Sequence, residues 1–298
     1  MKKYLKFMPL ALVVGLVACS GGRVISLEDG IKILNDIKKK QAAEDWAEPT
    51  KFTFEYSLET YSTDPDDKNT DEMILTLDED NKQIYSYINS YRQEGTNEPV
   101  KTVGEQWVYV DGDSVYALVD TNGVKQIQTA TADYFDTVAN SLKSAKEYAL
   151  NGMDNPDIYI TMLMDLLKDS LGFETSTASE DENTVESIKI SSSSNGNITI
   201  ENSATVKMEI NSMSDSSTTT STVEMNGSAK ITFDNYRFAF YETNVEYSTG
   251  EYVKASMKIS YNAQITIPDK SEFETSSSEE SSSSEETSSS IEPTTTAE

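Results

Sequence analysis

The chain has 298 residues, of which 51 are acidic and 24 are basic, and its formal net charge is −27. It contains no histidine and a single cysteine, which excludes catalysis by Ser-His-Asp or Cys-His groups and zinc binding through histidine. A strongly negative field repels nucleic acid and anionic lipid headgroups, so we expect no nucleic-acid partner.

The N-terminus has the features of a bacterial lipoprotein signal peptide over residues 1–18. Three lysines precede the apolar run Met8–Val17, and Leu16–Cys19 has the pattern of a lipobox. The apolar run is shorter than the ~20 residues that a membrane span needs. We therefore expect cleavage before Cys19 and a diacylglyceryl group on its thiol, which would anchor the protein on the extracytoplasmic face of the cell membrane. The alternative is an ordinary secretory signal cut elsewhere, with Cys19 incidental.

A short lipidated tether, residues 19–25, leads to the first predicted helix. Ser26 is placed to cap its N-terminus, and Asp29 follows as a variant of the capping box. Apolar residues then recur at helical spacing and give the helix one apolar face. They are Leu27, Ile31, Leu34 and Ile37.

Alternating apolar and polar residues predict antiparallel strands in the next part of the chain. The segments are Phe52–Leu58, Met73–Leu77 and Ile84–Tyr91. Asp111-Gly112 and Asn122-Gly123 are favoured two-residue hairpin turns, which indicates a meander. The acidic clusters Asp64–Asp71 and Asp78–Asp80 lack the spacing of a calcium loop and are interpreted as solvated hairpin tips, so no metal is expected.

Two consecutive helices are predicted to interrupt the strands. The first covers Thr131–Leu150, and the second opens at Asn155 with Pro156 in its first turn and closes at Gly172. The second helix is apolar on nearly all sides, which is unusual for a helix on a protein surface. We expect it to be buried on two faces, one of them against the sheet.

The second half of the chain predicts longer strands. The first two are Val185–Ile190 and Ile198–Ile210. Ser212–Thr222 is rich in Ser and Thr and is interpreted as a long hairpin loop or as flexible strand ends. Further on, a bulge would keep both Phe238 and Phe240 on the apolar side. Val253–Ile267 alternates without a break and predicts one long strand that curves around its neighbours.

The order of these elements resembles the LolA-like superfamily of bacterial lipoprotein carriers and the related mycobacterial LppX/LprG-type lipoproteins. The resemblance covers residues 26–268, and it rests on element order and on the hairpin Trp107–Gly112 with Val115-Tyr116 after it. It implies an α+β domain in which a strongly curved antiparallel sheet, a half-barrel, carries the N-terminal helix and the two central helices on its concave face. It also implies a hydrophobic cavity for acyl chains between sheet and helices.

Seven apolar or aromatic side chains are candidates for the lining of such a cavity. They are Met162, Met164, Leu167, Phe238, Phe240, Met257 and Tyr261. Ordinary core packing is the alternative role for each, because a sequence pattern does not distinguish a filled core from a pocket. Beyond the domain, residues 269–298 form an acidic Ser/Thr/Glu segment that we expect to be a disordered, solvating tail, with glycosylation or partner binding as the alternative.

Two functions are compatible with these features. The first is a binding module, tethered to the membrane through Cys19, that holds a lipid or another hydrophobic ligand. The alternative is a solidly packed, non-catalytic surface lipoprotein that contacts partner proteins or cell-envelope polymers. We expect no enzymatic activity and no cofactor, because the acidic residues fall on polar strand faces, turns or helix surfaces, where burial does not prepare them for general acid catalysis. The sequence leaves the oligomeric state open.

Overall fold

The computed structural model describes residues 22–62, 67–131, 133–170, 184–214 and 217–273. The predicted signal peptide 1–18 and the predicted lipidation site Cys19 lie outside these ranges. Most of the predicted tail, residues 274–298, also lies outside them.

The described residues form three helices and twelve strands. The helices are α1 (Leu27–Gln41), α2 (Tyr134–Leu150) and α3 (Pro156–Ser170). The first seven strands are β1 (Arg23–Val24), β2 (Lys51–Tyr61), β3 (Lys68–Asp78), β4 (Gln83–Gln93), β5 (Val100–Asp111), β6 (Ser114–Thr121) and β7 (Val124–Ala130). The other five are β8 (Thr184–Ser192), β9 (Ile198–Ser214), β10 (Ser217–Asp234), β11 (Arg237–Tyr247) and β12 (Tyr252–Ser260).

All twelve strands of the described chain belong to one antiparallel sheet in the order β1-β8-β9-β10-β11-β12-β2-β3-β4-β5-β6-β7. The sheet is not closed, since β1 and β7 are its two edges. It consists of two meanders joined where β12 pairs with β2, with Ile259 opposite Phe54. The predicted α+β class with one large antiparallel sheet is therefore confirmed. Asn122 and Gly123 both have positive φ, 51° and 85°, as the predicted turn between β6 and β7 requires.

The three helices pack on one face of the sheet, which we call the helix face; the other is the outer face. Because side chains alternate along a strand, Val108 lies in the core under the helices while its neighbour Trp107 lies on the outer face. The helices contribute Leu34, Ile37, Phe135, Ala139, Leu150, Tyr159 and Leu163 to this core. The sheet contributes residues from both meanders, including Phe52, Phe54, Leu77, Ile84, Ile200, Phe233 and Phe238.

Helix α1 begins where the sequence predicts. The Oγ of Ser26 accepts a hydrogen bond from the Asp29 amide at 3.1 Å, which satisfies one of the free N–H groups of the first turn. Gly30 faces the sheet, where a Cβ atom would lie only 3.0 Å from the Cδ1 of Ile190. The glycine therefore permits α1 to approach β8 closely.

In the described part of the Ser/Thr-rich segment Ser212–Thr222 the residues belong to strand ends, so of the two predicted alternatives the long loop was wrong; residues 215 and 216 lie outside the described residues. Strand β9 continues to Ser214 and β10 begins at Ser217, with these two residues opposite each other in the register. Threonine is β-branched and favours extended backbone. The ladder hydrogen bonds also require no apolar side chain, so two polar strands can pair as well as two amphipathic ones.

The predicted strand Val253–Ile267 is also shorter in the structure, where β12 ends at Ser260. The remaining residues leave the sheet although half-buried and exposed positions still alternate through Ile267. They end in a 3-10 turn, Lys270–Glu272, on the outer face of β5–β7. We call residues 261–273 the strap.

Contacts at the end of the strap join it to the outer face. The ring of Phe273 is buried and meets that of Trp107 edge-on at 6.0 Å between centroids. The Nζ of Lys125 lies 2.8 Å from an oxygen of Glu272 and 5.0 Å from the centroid of Phe273. The folded part therefore extends past Pro268, the predicted domain boundary. At the other end, β1 lies within the predicted tether 19–25 and pairs with β8.

Asp71 and Asp78, two members of the acidic clusters, are not at solvated hairpin tips as predicted. Asp64 and Asp66 lie outside the described residues. Asp78 is 3% exposed. Its carboxylate accepts from the Lys51 ammonium at 3.0 Å and from the Asn81 amide at 2.9 Å. Asp71 lies inside β3 and pairs with Arg92 on β4. These carboxylates are partnered structural groups.

Candidate functional site

A row of side chains on the helix face runs from the core, which the helices cover, to a part of the sheet that they leave uncovered. Register pairs Tyr241 with Met257, Met257 with Tyr56, Tyr56 with Met73, and Met73 with Ile88. Exposure rises along this row from 5% at Met257 to 50% at Ile88. The apolar surface is thus closed on one side and open on the other.

Gly104 on β5 lies directly opposite Ile88 and belongs to the same row. A Cβ atom on Gly104 would meet no atom within 4 Å, so the space above this strand position is free of protein. A glycine inside a strand often marks a place where a ligand or another backbone approaches closely. Ile88 and Gly104 together form a flat apolar surface beside the helices.

Beyond this row, toward the β2–β3 and β11–β12 turns, the helix face bears mostly small and apolar side chains. The described ones on the central strands are half-buried. They are Ala204, Asn202, Gly227, Ala229, Thr243, Val245, Val253, Ala255, Leu58 and Thr60. We call this area, together with Ile88 and Gly104, the open half of the helix face.

A pair of charged side chains, Asp71 and Arg92, lies within the open half. Arg92 Nη2 lies 2.6 Å from Asp71 Oδ2, and the Ser90 hydroxyl donates to Asp71 Oδ1 at 2.8 Å. The hydrogen bond from Arg92 lowers the pKa of Asp71, so this carboxylate is charged at neutral pH. Burial, helped by the charge of Asp71, raises the pKa of the nearby Tyr56 hydroxyl. The pair places charged, hydrogen-bonding atoms at a fixed point on a surface of mostly small and apolar side chains.

The structure separates the seven predicted lining residues. Phe238 and Met257 are buried core residues, and half-buried Tyr261 donates a hydrogen bond to the Phe238 carbonyl at 3.0 Å. Phe240 lies on the outer face opposite Lys258. A register shift between Thr232 and Phe233 causes this, since it places Phe238 on the helix face but leaves Phe240 on the other.

The three predicted residues of α3 lie at different depths. Met162 and Leu167 are half-buried, whereas Met164 is 39% exposed. The side of α3 that enters the core carries Tyr159 and Leu163 instead. The expectation that this helix is buried on two faces was therefore wrong for the side that bears Met164. Ile158 is exposed as well, so two apolar side chains of α3 are in contact with solvent, on different sides of the helix.

Sequence reasoning missed Ile88, Gly104 and the Asp71–Arg92 pair. A glycine inside an otherwise regular strand pattern was the one available signal, and it points to Gly104. The exposure of Ile88 had no local signal, because it depends on where the helices end above the sheet. The pairing of Asp71 with Arg92 depends on the register between β3 and β4.

The described residues contain no cluster of three or more Asp, Glu, Cys or His side chains that could hold a metal ion. Within the same ranges, no helix combines the length and the apolar character that a membrane span requires. No protein-family model matches the chain, and no curated protein matches it. The function must therefore be argued from the chemistry of the surfaces themselves.

Proposed function

We propose that the protein is a membrane-anchored extracytoplasmic lipoprotein that binds a lipid or another hydrophobic ligand on the open half of the helix face. The observation that carries this proposal is the apolar row that runs from buried Met257 to exposed Ile88 beside the free space at Gly104. Apolar surface in such a row gains about 25 cal/mol per Å² when a ligand removes it from water. The Asp71–Arg92 pair would contact a polar headgroup.

A curved sheet is part of the same proposal. Twisted open sheets of more than ~10 strands usually curl or split, and this one has twelve strands among the described residues. We infer a half-barrel with the helices on its concave face, as in the LolA-like superfamily that the element order resembles. In that geometry the open half is the uncovered part of the concave face, where curvature would surround an acyl chain on several sides.

The predicted anchor would hold this surface near its source of ligand. Arg23, the first residue of β1, is four positions after Cys19 in the sequence. An extended chain of that length spans at most ~14 Å. With the thiol of Cys19 acylated, the β1 edge of the sheet would therefore lie close to the lipid headgroups, and a lipid would have a short path to the protein.

The alternative is an interaction protein that binds partner proteins or cell-envelope polymers and holds no ligand. The packing beneath the helices favours it, because Phe238 and Met257, two of the predicted lining residues, are buried in the core. The exposed apolar side chains of α3, Ile158 and Met164, would then be available for contacts. Neither alternative requires catalysis.

Native mass spectrometry of the mature full-length chain in a mild detergent tests the proposal. We expect a non-covalent mass excess after incubation with phospholipid, which organic solvent removes. Gly104→Trp should abolish the excess, because the new ring would occupy the surface without meeting protein atoms. Val103→Trp is the matched control, since it places the same ring one position earlier on the outer face.

The two variants separate the explanations. A mass excess that Gly104→Trp removes and Val103→Trp keeps supports a ligand on the open half. No excess in the folded wild type, or equal loss in both variants, would overturn the proposal and favour the interaction protein.

A further inference from the structure

A second site lies at the opposite end of the helix face, separate from the open half. A half-open cavity of about 220 Å³ lies between the end of α1, the end of α2 and the adjoining ends of β11 and β12. Its lining includes Trp46, Glu48, Lys146, Asp154, Arg237 and Tyr261. The volume is smaller than the ~300–1,000 Å³ of pockets for drug-sized ligands, which points to a small ligand.

Arg237 is held in a fixed position at this cavity. Its guanidinium lies 3.8 Å from the centroid of the Trp46 ring and 5.2 Å from that of Tyr261. One guanidinium nitrogen donates to the Ala47 carbonyl at 2.6 Å. A guanidinium carries five N–H donors, and among the described residues the Ala47 carbonyl is its one hydrogen-bond acceptor, which leaves donors for a ligand in the cavity. These contacts restrict the conformations of the Arg237 side chain, so ligand binding costs less side-chain entropy.

The cavity brings together two cationic and two anionic side chains that do not neutralise one another. Among the described residues, no ion pair within 4.0 Å includes Lys146, Arg237, Glu48 or Asp154. The Nζ of Lys146 instead lies 5.0 Å from the centroid of the Phe52 ring. Both signs of charge are therefore available to a ligand.

The outer face shows the usual behaviour of opposite charges in this chain. There, Lys230 Nζ lies 3.1 Å from Glu201 Oε1, and Lys189 Nζ lies 3.7 Å from the other oxygen of the same carboxylate. Lysine and glutamate side chains line both the outer face and the cavity, but among the described residues those of the cavity form no ion pair within 4.0 Å. At the cavity, the charged side chains are open to a ligand.

The floor of the cavity is formed by core side chains that expose little hydrocarbon to it. Leu150, Phe238 and Ile259 line it, and all three are buried in the core. Tyr261 borders this floor, where burial raises the pKa of its hydroxyl to about 12 although the charge of Arg237 lowers it. The Tyr261 hydroxyl is thus neutral and donates to the Phe238 carbonyl. A ligand in this cavity would meet mainly polar and charged groups.

We propose that this cavity binds a small zwitterion, an α-amino acid, with its carboxylate on Arg237 and Lys146 and its ammonium on Glu48 and Asp154. Guanidinium and carboxylate match in geometry and form charge-assisted hydrogen bonds. A polyol would satisfy the hydrogen-bonding groups but would leave the charges without partners. A lone cation or anion would leave half of them unmatched.

Isothermal titration of the mature full-length chain in detergent with matched probes tests this site. L-leucine is the zwitterion, N-acetyl-L-leucine lacks the ammonium, L-leucinamide lacks the carboxylate, and D-glucose is the neutral polyol. We expect L-leucine to bind with a Kd below about 1 mM and the other three to bind at least about tenfold more weakly, a difference of about 1.4 kcal/mol.

Two variants assign the binding to the cavity. Glu48→Gln removes one carboxylate from an exposed residue at the rim and should weaken L-leucine binding about tenfold. Glu201→Gln makes the same chemical change on the outer face and should leave it unaltered. Equal binding of the zwitterion and its two half-charged analogues, preferential binding of D-glucose, no heat from any probe, or an unchanged affinity in Glu48→Gln would each overturn the proposal. Because the probes carry no lipid chain, this result is independent of the phospholipid experiment.

Discussion

Gly196 and Tyr236 lie in two neighbouring hairpin turns and are in such close contact that a Cβ atom on Gly196 would stand 2.3 Å from the Tyr236 ring. Both residues have positive φ, 76° and 65°. The Asn235 amide also donates to the Asn197 side chain at 2.7 Å, which links the same two turns. The β8–β9 and β10–β11 connections therefore fit together through a glycine.

Gly196→Ala should destabilise the protein through this contact. Gly250→Ala is the control, because Gly250 also has positive φ but a Cβ atom there meets nothing within 4 Å. We expect Gly196→Ala to lower the free energy of unfolding by about 2 kcal/mol more than Gly250→Ala, the usual size of local strain and overpacking. Urea unfolding measures both, and equal losses would show that the Tyr236 ring moves aside without cost.

Phe273→Ala should release the strap from the outer face. The buried ring fills a site next to Trp107, and its removal should cost about 3 kcal/mol. The emission of Trp107 should also shift to longer wavelength as water reaches the indole. Deleting residues 274–298, which starts one residue later, should change neither quantity. An unchanged stability in Phe273→Ala would mean that the strap contributes nothing to the fold.

Asp78→Asn should destabilise the protein in a pH-dependent manner. Burial alone would raise the pKa of Asp78, but hydrogen bonds from Asn81 and Lys51 outweigh it and hold the pKa below its ordinary value of 3.8. A depressed carboxyl pKa stabilises the folded state fully above the unfolded pKa, and this stability is lost as pH falls through the folded pKa.

We therefore expect Asp78→Asn to cost about 2 kcal/mol at pH 7, and the difference from wild type to close as the pH falls below about 4. Asp80→Asn is the control, because its carboxylate is 3.4 Å from the same Lys51 ammonium but exposed. It should change stability by less than ~1 kcal/mol. Urea titrations at several pH values give these numbers. A difference that persists at low pH would show that the role of Asp78 does not depend on its charge.

Leu163→Ala and Met164→Ala should have very different effects although the residues are adjacent on α3. Leu163 is fully buried, so Leu163→Ala should lower the free energy of unfolding by about 3 kcal/mol. Met164 is exposed, so Met164→Ala should lower it by less than ~1 kcal/mol. Thermal or urea unfolding measures both. Similar costs would indicate that the exposed side of α3 is covered in solution, which would restore the expectation of burial on two faces.

Local signals in the sequence predicted the elements whose causes are local. The cap of α1 depends only on Ser26 and the amide of Asp29, and the β6–β7 turn depends only on whether Asn122 and Gly123 can adopt positive φ. Such features do not depend on the rest of the fold. The sheet as a whole was also readable, because its strands alternate between apolar and polar residues.

The sequence does not predict the residue at which β12 ends, because the neighbouring strands determine it. Ser260 pairs with Thr53, and β2 begins at Lys51, so little of the partner strand remains for residues after Ser260. The alternation of Ala263–Ile267 nevertheless persists, since a strap lying on a surface also buries every second residue. The alternation of apolar and polar residues indicates which side chains are buried, but it does not indicate which strands pair.

The second site was beyond sequence reasoning for a related reason. Glu48, Asp154 and Arg237 lie in three segments that are far apart in the chain, and each alone is an ordinary charged surface residue. Only the packing of α1 and α2 over the ends of β11 and β12 brings them together. The open half was missed in the same way, because nothing near Ile88 in the sequence shows where the helices stop.

The strap also has a mechanical consequence. It leaves the sheet after β12 and is fastened again on β5, β6 and β7, although β2, β3 and β4 lie between. A segment fixed at both ends in this way acts as a strut and resists bending of the strands that it spans. Strands β8–β11 carry no such strut among the described residues.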